Sequence, residues 1–255
     1  MTRLQETLGK NQKLLSIYFT AGYPNNTDTV SIVQELQHSG VDFVEIGLPF
    51  SDPLADGPVI QQSSTLALKN GMNTALLFEQ LKDIRKTINI PLIIMGYFNP
   101  ILQYGVEDFC KNCQEVGIDG LIIPDLPMEE YILQYKAIFD KYQLSNIFLI
   151  TPQTSIERIH KIDAATNSFI YMVSSASTTG GNEGFGSEQK AYFERIRSMN
   201  LKNPTIIGFG INSNQTFKMA TQYAQGAIVG SAFIKQLQKD GIKSIQGFIN
   251  AIKHG

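Results

Sequence analysis

The chain has 255 residues, of which 43% are hydrophobic, enough to bury a full core and the usual size of one (β/α)8 barrel. Its 21 basic and 23 acidic residues leave a net charge of -2 with no basic block, which argues against nucleic acid or an anionic membrane and leaves a small molecule or a protein as partner. No apolar stretch approaches the roughly 18 residues of a spanning helix, and MTRLQETLGKNQKLL at the N-terminus is too polar for a signal-peptide core, so a cytoplasmic protein is expected.

Short apolar runs that stop at small or polar residues predict strands at SIYFTAG (16–22), FVEIGLP (43–49), LIIMGY (92–97) and GLIIPDLP (120–127). They continue at IFLITP (147–152), FIYMVSS (169–175), TIIGFGI (205–211) and AIVGSAF (227–233). Between them lie stretches such as TVSIVQELQHSG and MEEYILQYKAIFDKYQ, with apolar residues three and four apart and glycine near several ends. The alternation predicts a single (β/α)8 barrel domain over residues 1–255, with an extra N-terminal helix. An open doubly wound sheet is the alternative, but its first turn should carry G-x-G-x-x-G and here reads TAGYP. Cys110 and Cys113 have a C-x-x-C spacing, yet VEDFCKNCQEVG reads as an amphipathic helix, so they are expected to face the core as small hydrophobes.

In a barrel, functional residues gather at the C-terminal strand ends. A buried parallel strand should be almost wholly apolar, so Glu45 amid Phe43, Val44 and Ile46 needs a reason to be there. Counting in twos sets Phe43, Glu45 and Gly47 on one face, with the acid pointing inward. Burial raises a carboxyl pKa, which suits a group that must both give and take a proton near neutrality. The following loop, stiffened by Pro49, Pro53, Gly57 and Pro58, would present Asp56 over the same mouth. Parity also brings Tyr171 in line with Phe169 and Val173, and Asp125 with Ile123. Tyr171 is either a core ring or a substrate contact, while Asp125, between prolines, reads more as a loop anchor. Thr179-Gly180-Gly181, Gly208-Phe209-Gly210 and Gly230-Ser231 come late in the chain and together resemble an anion cradle, with Ser231 leading into a helix. No lysine falls in or at the end of the predicted strands, His38, His160 and His254 do not cluster, and no G-x-S-x-G elbow is present. Acid/base chemistry by carboxylates remains, with no metal.

The run VEIGLPFSDPLADGP, from Val44 to Pro58, taken with these segments, closely resembles the alpha chain of tryptophan synthase, over about Leu15 to Ile234. The resemblance implies reversible retro-aldol cleavage of indole-3-glycerol phosphate to indole and glyceraldehyde 3-phosphate. Glu45 would transfer the protons, and Asp56 would accept the indole N–H. Substrate contacts would come from Tyr18, Ile60, Met95, Tyr97, Ile122, Tyr171, Thr179 and Phe209. The family's phosphate contacts fall on Gly180, Gly208, Gly210, Gly230 and Ser231. The glycine-rich stretch 174–187 would be a lid. It departs from relatives in having Ser177-Thr178 for Gly-Val and Ser175 where arginine is frequent, a difference that bears on the closed geometry. The family further implies docking, through a region that includes Pro53, Asn99 and Pro100 on mouth loops, onto a beta chain in an alpha2beta2 heterotetramer. Pyridoxal phosphate is then expected only in the beta chain, with no cofactor here. A stand-alone indole-releasing lyase and a silent barrel that only activates a beta chain are the alternatives.

Overall fold

A computed structural model describes residues 1–53, 56–174 and 185–255. Its strands are β1 (Leu14–Thr20), β2 (Phe43–Gly47), β3 (Leu92–Met95), β4 (Gly120–Ile122), β5 (Ser145–Ile147), β6 (Leu149–Ile150), β7 (Ile170–Val173), β8 (Thr205–Gly208) and β9 (Gly226–Val229). They pair in parallel in the order β5-β4-β3-β2-β1-β9-β8-β7-β6. Phe148 alone separates β5 from β6, so the two ends of the sheet are one stretch of chain and the strands close into the expected barrel.

The fifth predicted strand begins earlier than its apolar residues suggest. Ser145 and Asn146 are buried and pair with Gly120 and Leu121, whereas Phe148 turns its ring outward onto Tyr131 at 5.4 Å and 81°. The Phe148 carbonyl still accepts from the Tyr171 N–H at 2.9 Å, which carries the sheet across the break.

Register fixes what faces inward. Ser16, Tyr18 and Thr20 pair with Phe43, Glu45 and Gly47, and Glu45 and Gly47 pair with Ile93 and Met95. Paired residues in a parallel ladder share a face. The Phe43 and Phe169 rings meet at 5.6 Å and fill the floor, so Glu45 stands one layer above them. Outside, amphipathic helices cover the strands, among them Thr29–His38, Pro58–Lys69, Val106–Val116 and Ser187–Ser198. The predicted helix after residue 127 forms, but with a π turn at Tyr131–Tyr135 between Met128–Glu130 and Lys136–Lys141. The extra N-terminal helix, Arg3–Leu8, is capped by Thr2 and Gln5 in a capping box. Arg3 reaches Asp119 at 3.0 Å and the Gln225 amide donates to the Leu8 carbonyl, which holds this helix across the strand beginnings.

Cys110 and Cys113 are buried on their helix, as expected. Burial pushes the Cys110 thiol up to about 12 and raises that of Cys113 as well, so both stay protonated. Among the described residues, no helix is long and apolar enough to cross a membrane.

Candidate active site

Glu45 is fully buried at the middle of β2. The Ser16 hydroxyl donates to its Oε1 at 3.5 Å, and its Oε2 has no partner among the described residues. Desolvation therefore dominates and pushes the carboxyl up to about 8, with the Ser16 hydrogen bond acting against it. A group of that acidity is mostly protonated at neutral pH and can lose its proton at little cost.

Asp56 is half-buried in the loop between β2 and the helix Pro58–Lys69. Gly57 in extended conformation precedes Pro58 in the first turn of that helix, and the Gln61 amide donates to the Asp56 carbonyl at 2.8 Å. The start of the helix thus holds the Asp56 backbone in place. The Tyr97 hydroxyl donates to the Asp56 carboxylate at 3.3 Å, and the Tyr97 ring lies 5.2 Å from that of Phe50 at 31°. Tyr97 thus contacts both Phe50 and Asp56. Burial raises the Asp56 carboxyl, and the Tyr97 hydrogen bond opposes the rise.

Two further tyrosines connect these acids. Burial pushes the Tyr18 hydroxyl up, and the charges of Asp56 and then Glu45 push it further. Tyr171 is raised by burial, then by Glu45 and Asp56. Both carboxylates therefore act on both phenols, so the four groups lie near one another toward the C-terminal ends of the strands. Each phenol also lies over a glycine. A Cβ on Gly47 would fall 2.3 Å from the Tyr18 oxygen, and one on Gly208 would fall 2.0 Å from the Tyr171 oxygen, so only glycine fits either place.

The strand ends beyond are built for close backbone approach. After β8 the chain turns through Phe209 and Gly210, with φ of 70° and 76°. That conformation is uncommon for a phenylalanine and is held by Ser174, whose hydroxyl donates to the Phe209 carbonyl at 2.8 Å. The Phe209 ring meets Tyr171 edge-on at 6.4 Å and 73°. After β9, Gly230 leads into the helix Ser231–Asp240, whose start has no side-chain cap, so its first N–H groups are available to an anion.

Glu45 in β2, Asp56 in the loop after it and the uncapped start of the helix Ser231–Asp240 all lie toward the C-terminal strand ends of the same barrel. The family model for the tryptophan synthase alpha chain matches residues 4–253. The chain belongs to that family. The tryptophan synthase alpha chain of Flavobacterium psychrophilum is 66% identical over 99% of this chain and 100% of its own length. That of Flavobacterium johnsoniae is 64% identical over 99% and 100%. Among solved structures, tryptophan synthase subunit alpha from Legionella pneumophila superposes with a TM-score of 0.88 at 35% identity, covering 99% of this chain and 97% of the other. The family's reaction is cleavage of indole-3-glycerol phosphate to indole and glyceraldehyde 3-phosphate in tryptophan biosynthesis, and this alpha chain is the lyase subunit.

Other residues singled out in the alpha-chain sequence fall as follows. Met95 and Ile122 pair with each other in the layer of Gly47, and Ile60 is buried in the first turns of its helix. It is Ile122 that faces inward, so Ile123, one residue on, faces the helices. Asp125, in the loop after β4, acts as an anchor: its carboxylate accepts from the Phe98 N–H at 2.8 Å, at the start of the helix that follows β3. Asn99 and Pro100 are not in a loop but open the helix Phe98–Tyr104, because proline is tolerated in a first turn and Asp125 satisfies the Phe98 N–H. Thr179 and Gly180, with Ser175, Ser177 and Thr178 of the predicted lid, lie outside the described residues. At the lid's far end Phe185 packs on Phe193 at 5.0 Å and 86°. Sequence reasoning missed Ser16, although it shares the parity of Tyr18 and so the interior with Glu45. It also missed the tie from Tyr97 to Asp56, which joins positions 41 residues apart and leaves no local pattern.

Proposed function

We propose that Glu45 and Asp56 carry the lyase reaction in this chain. Protonated Glu45 delivers its proton to C3 of the indole ring. The resulting ring cation then accepts the electron pair of the carbon–carbon bond as that bond breaks. The glycerol hydroxyl gives up its proton in the same event, and the Glu45 carboxylate is the base that takes it, which restores the acid. Asp56, oriented by Tyr97, accepts the indole N–H and stabilises the ring's positive charge, which is larger in the transition state than in the substrate. Tyr18, Ile60, Met95, Tyr97, Ile122, Tyr171, Thr179 and Phe209 pack the substrate. Backbone N–H groups around Gly180, Gly208, Gly210, Gly230 and Ser231 bind the phosphate, aided by the dipole of the helix Ser231–Asp240.

The observation that carries this reading is the fully buried Glu45 with an unpartnered Oε2. An isolated buried carboxyl costs several kcal/mol when ionised, so a fold retains it where the proton itself is used. Pyridoxal phosphate belongs to a beta chain that docks over the mouth, near Pro53, Asn99 and Pro100, in an alpha2beta2 heterotetramer. The likeness in fold to tryptophan synthase from M. tuberculosis, with a TM-score of 0.86 at 28% identity, supports the partnership. The chain acts as one barrel domain in the cytoplasm. Mixing the purified chain with indole-glycerol phosphate, with and without a beta chain, tests the proposal. Strong enhancement by the beta chain supports it, high activity alone favours a free-standing lyase, and no turnover in either mixture favours a silent activator.

A further inference from the structure

Ser16 occupies a place where a barrel interior calls for an apolar side chain. It lies in β1, fully buried, and pairs with Phe43 one step below Glu45. A buried hydroxyl needs a partner, and this one donates to Glu45 Oε1. The carboxyl is thus held from the floor side by one oxygen, while Oε2 is left without a protein partner. The other titratable groups acting with Glu45 are the Tyr18 phenol from β1 and the Tyr171 phenol from β7, both of which also feel Asp56. Among the described residues no lysine, arginine or histidine acts on Glu45, and the Ser16 hydroxyl is the group that opposes its desolvation.

We infer that Ser16 is a positioning residue for the lyase reaction, tethering Glu45 by Oε1 so that Oε2 meets the substrate and stabilising the carboxylate after the proton has left. The inference rests on the reading of Glu45 as the proton-transfer group. The contact of 3.5 Å is long for O–H···O and suits a neutral acid; a charge-assisted bond to a carboxylate is shorter and about twice as strong. The tether therefore tightens when Glu45 becomes the base. It narrows the gap between the two roles that one carboxyl must play in each turnover.

The test uses the full chain as Ser16→Ala, with Ser16→Thr as the hydroxyl-retaining control and Ser16→Cys as a second variant lacking the hydroxyl. Glu45 is titrated directly by carboxyl carbon NMR, its signal identified by its loss in Glu45→Gln. The Ala variant should raise the Glu45 midpoint by about 0.5 to 1 pH unit, with Cys between and Thr near the parent. The basic limb of kcat/KM should move in parallel, while KM at neutral pH changes little and kcat falls by about threefold to tenfold. A midpoint unmoved in folded Ala and Cys variants overturns the tether. If instead the midpoint moves but Glu45→Gln still cleaves substrate, the tether stands and the assignment of Glu45 falls.

Discussion

Replacing Glu45 with glutamine should make the isolated chain more stable in alkaline solution while removing its activity. Below pH 4.5, the ordinary value for this carboxyl, folded and unfolded chains both hold the proton and its burial as an ion costs nothing. As pH rises from there to about 8, the unfolded chain releases the proton and the folded chain keeps it, so stability is progressively lost. Above about 8 the loss is complete. The interval of 3.5 pH units between 4.5 and about 8, at about 1.4 kcal/mol each, gives a loss of about 5 kcal/mol. That is comparable with the whole stability of many domains. Glutamine cannot ionise, and whatever its amide costs in the same place is the same at every pH. The difference in unfolding free energy between the two proteins should therefore slope between pH 5 and 8 and flatten beyond. Urea unfolding followed by far-UV circular dichroism at half-unit steps measures it, since the chain has no tryptophan for fluorescence. Parallel curves for parent and variant over this range would refute the claim that burial governs Glu45.

Catalysis should follow the same group with the opposite logic: kcat/KM falls as pH passes through about 8 because the protonated form of Glu45 is lost. Steady-state profiles with saturating beta chain check this. Asp56→Asn should leave the unfolding free energy nearly unchanged yet lower kcat by about 100-fold or more, since the charge opposing the ring cation disappears; an activity loss below tenfold would contradict the role given to it. Gly208→Ala places a methyl 2.0 Å from the Tyr171 oxygen, so it should cost about 1–3 kcal/mol in urea unfolding and displace Tyr171 from the site. Asp119→Ala removes the carboxylate between Arg3 at 3.0 Å and Arg85 at 2.7 Å. It leaves Arg85 without its charge partner, which should destabilise by about 3–5 kcal/mol with no effect on KM.

The barrel was legible because its signals are local. Each buried strand is a short apolar run, and each covering helix repeats its apolar residues at three and four, so the order of elements follows from patterns of a few residues. Glu45 was legible for the complementary reason, an acid breaking such a run. Elements failed where polar residues do the pairing. Ser145 and Asn146 continue a strand that hydropathy starts at Ile147, and Asn99-Pro100 looks like a turn until Asp125 supplies the acceptor for Phe98. The hydrogen bonds that tune the acids, Ser16 to Glu45 and Tyr97 to Asp56, span 29 and 41 residues. Pairings at that distance depend on register between strands, which no window along the chain contains.

Glycine has two tasks at the mouth, and their coincidence bears on how the site works. Gly47 and Gly208 make room for the Tyr18 and Tyr171 rings, while Gly210 takes the left-handed turn beside Phe209 and Gly230 opens the helix at the proposed phosphate end. Tyr18 touches both ends: its oxygen lies over Gly47, and its ring comes within 3.6 Å of where a Gly230 Cβ would stand. Tyr171 does the same through Gly208 and the edge of Phe209. An interior packed as densely as a crystal transmits small displacements rather than absorbing them. With the substrate's tail bound at this rim as proposed, a shift of either rim would be passed through a rigid ring to the hydroxyl nearest the acids. On the roles proposed for Glu45 and the glycine rim, binding energy from the phosphate would then align the reacting carboxyl, which is how an interaction remote from the breaking bond raises kcat rather than affinity alone.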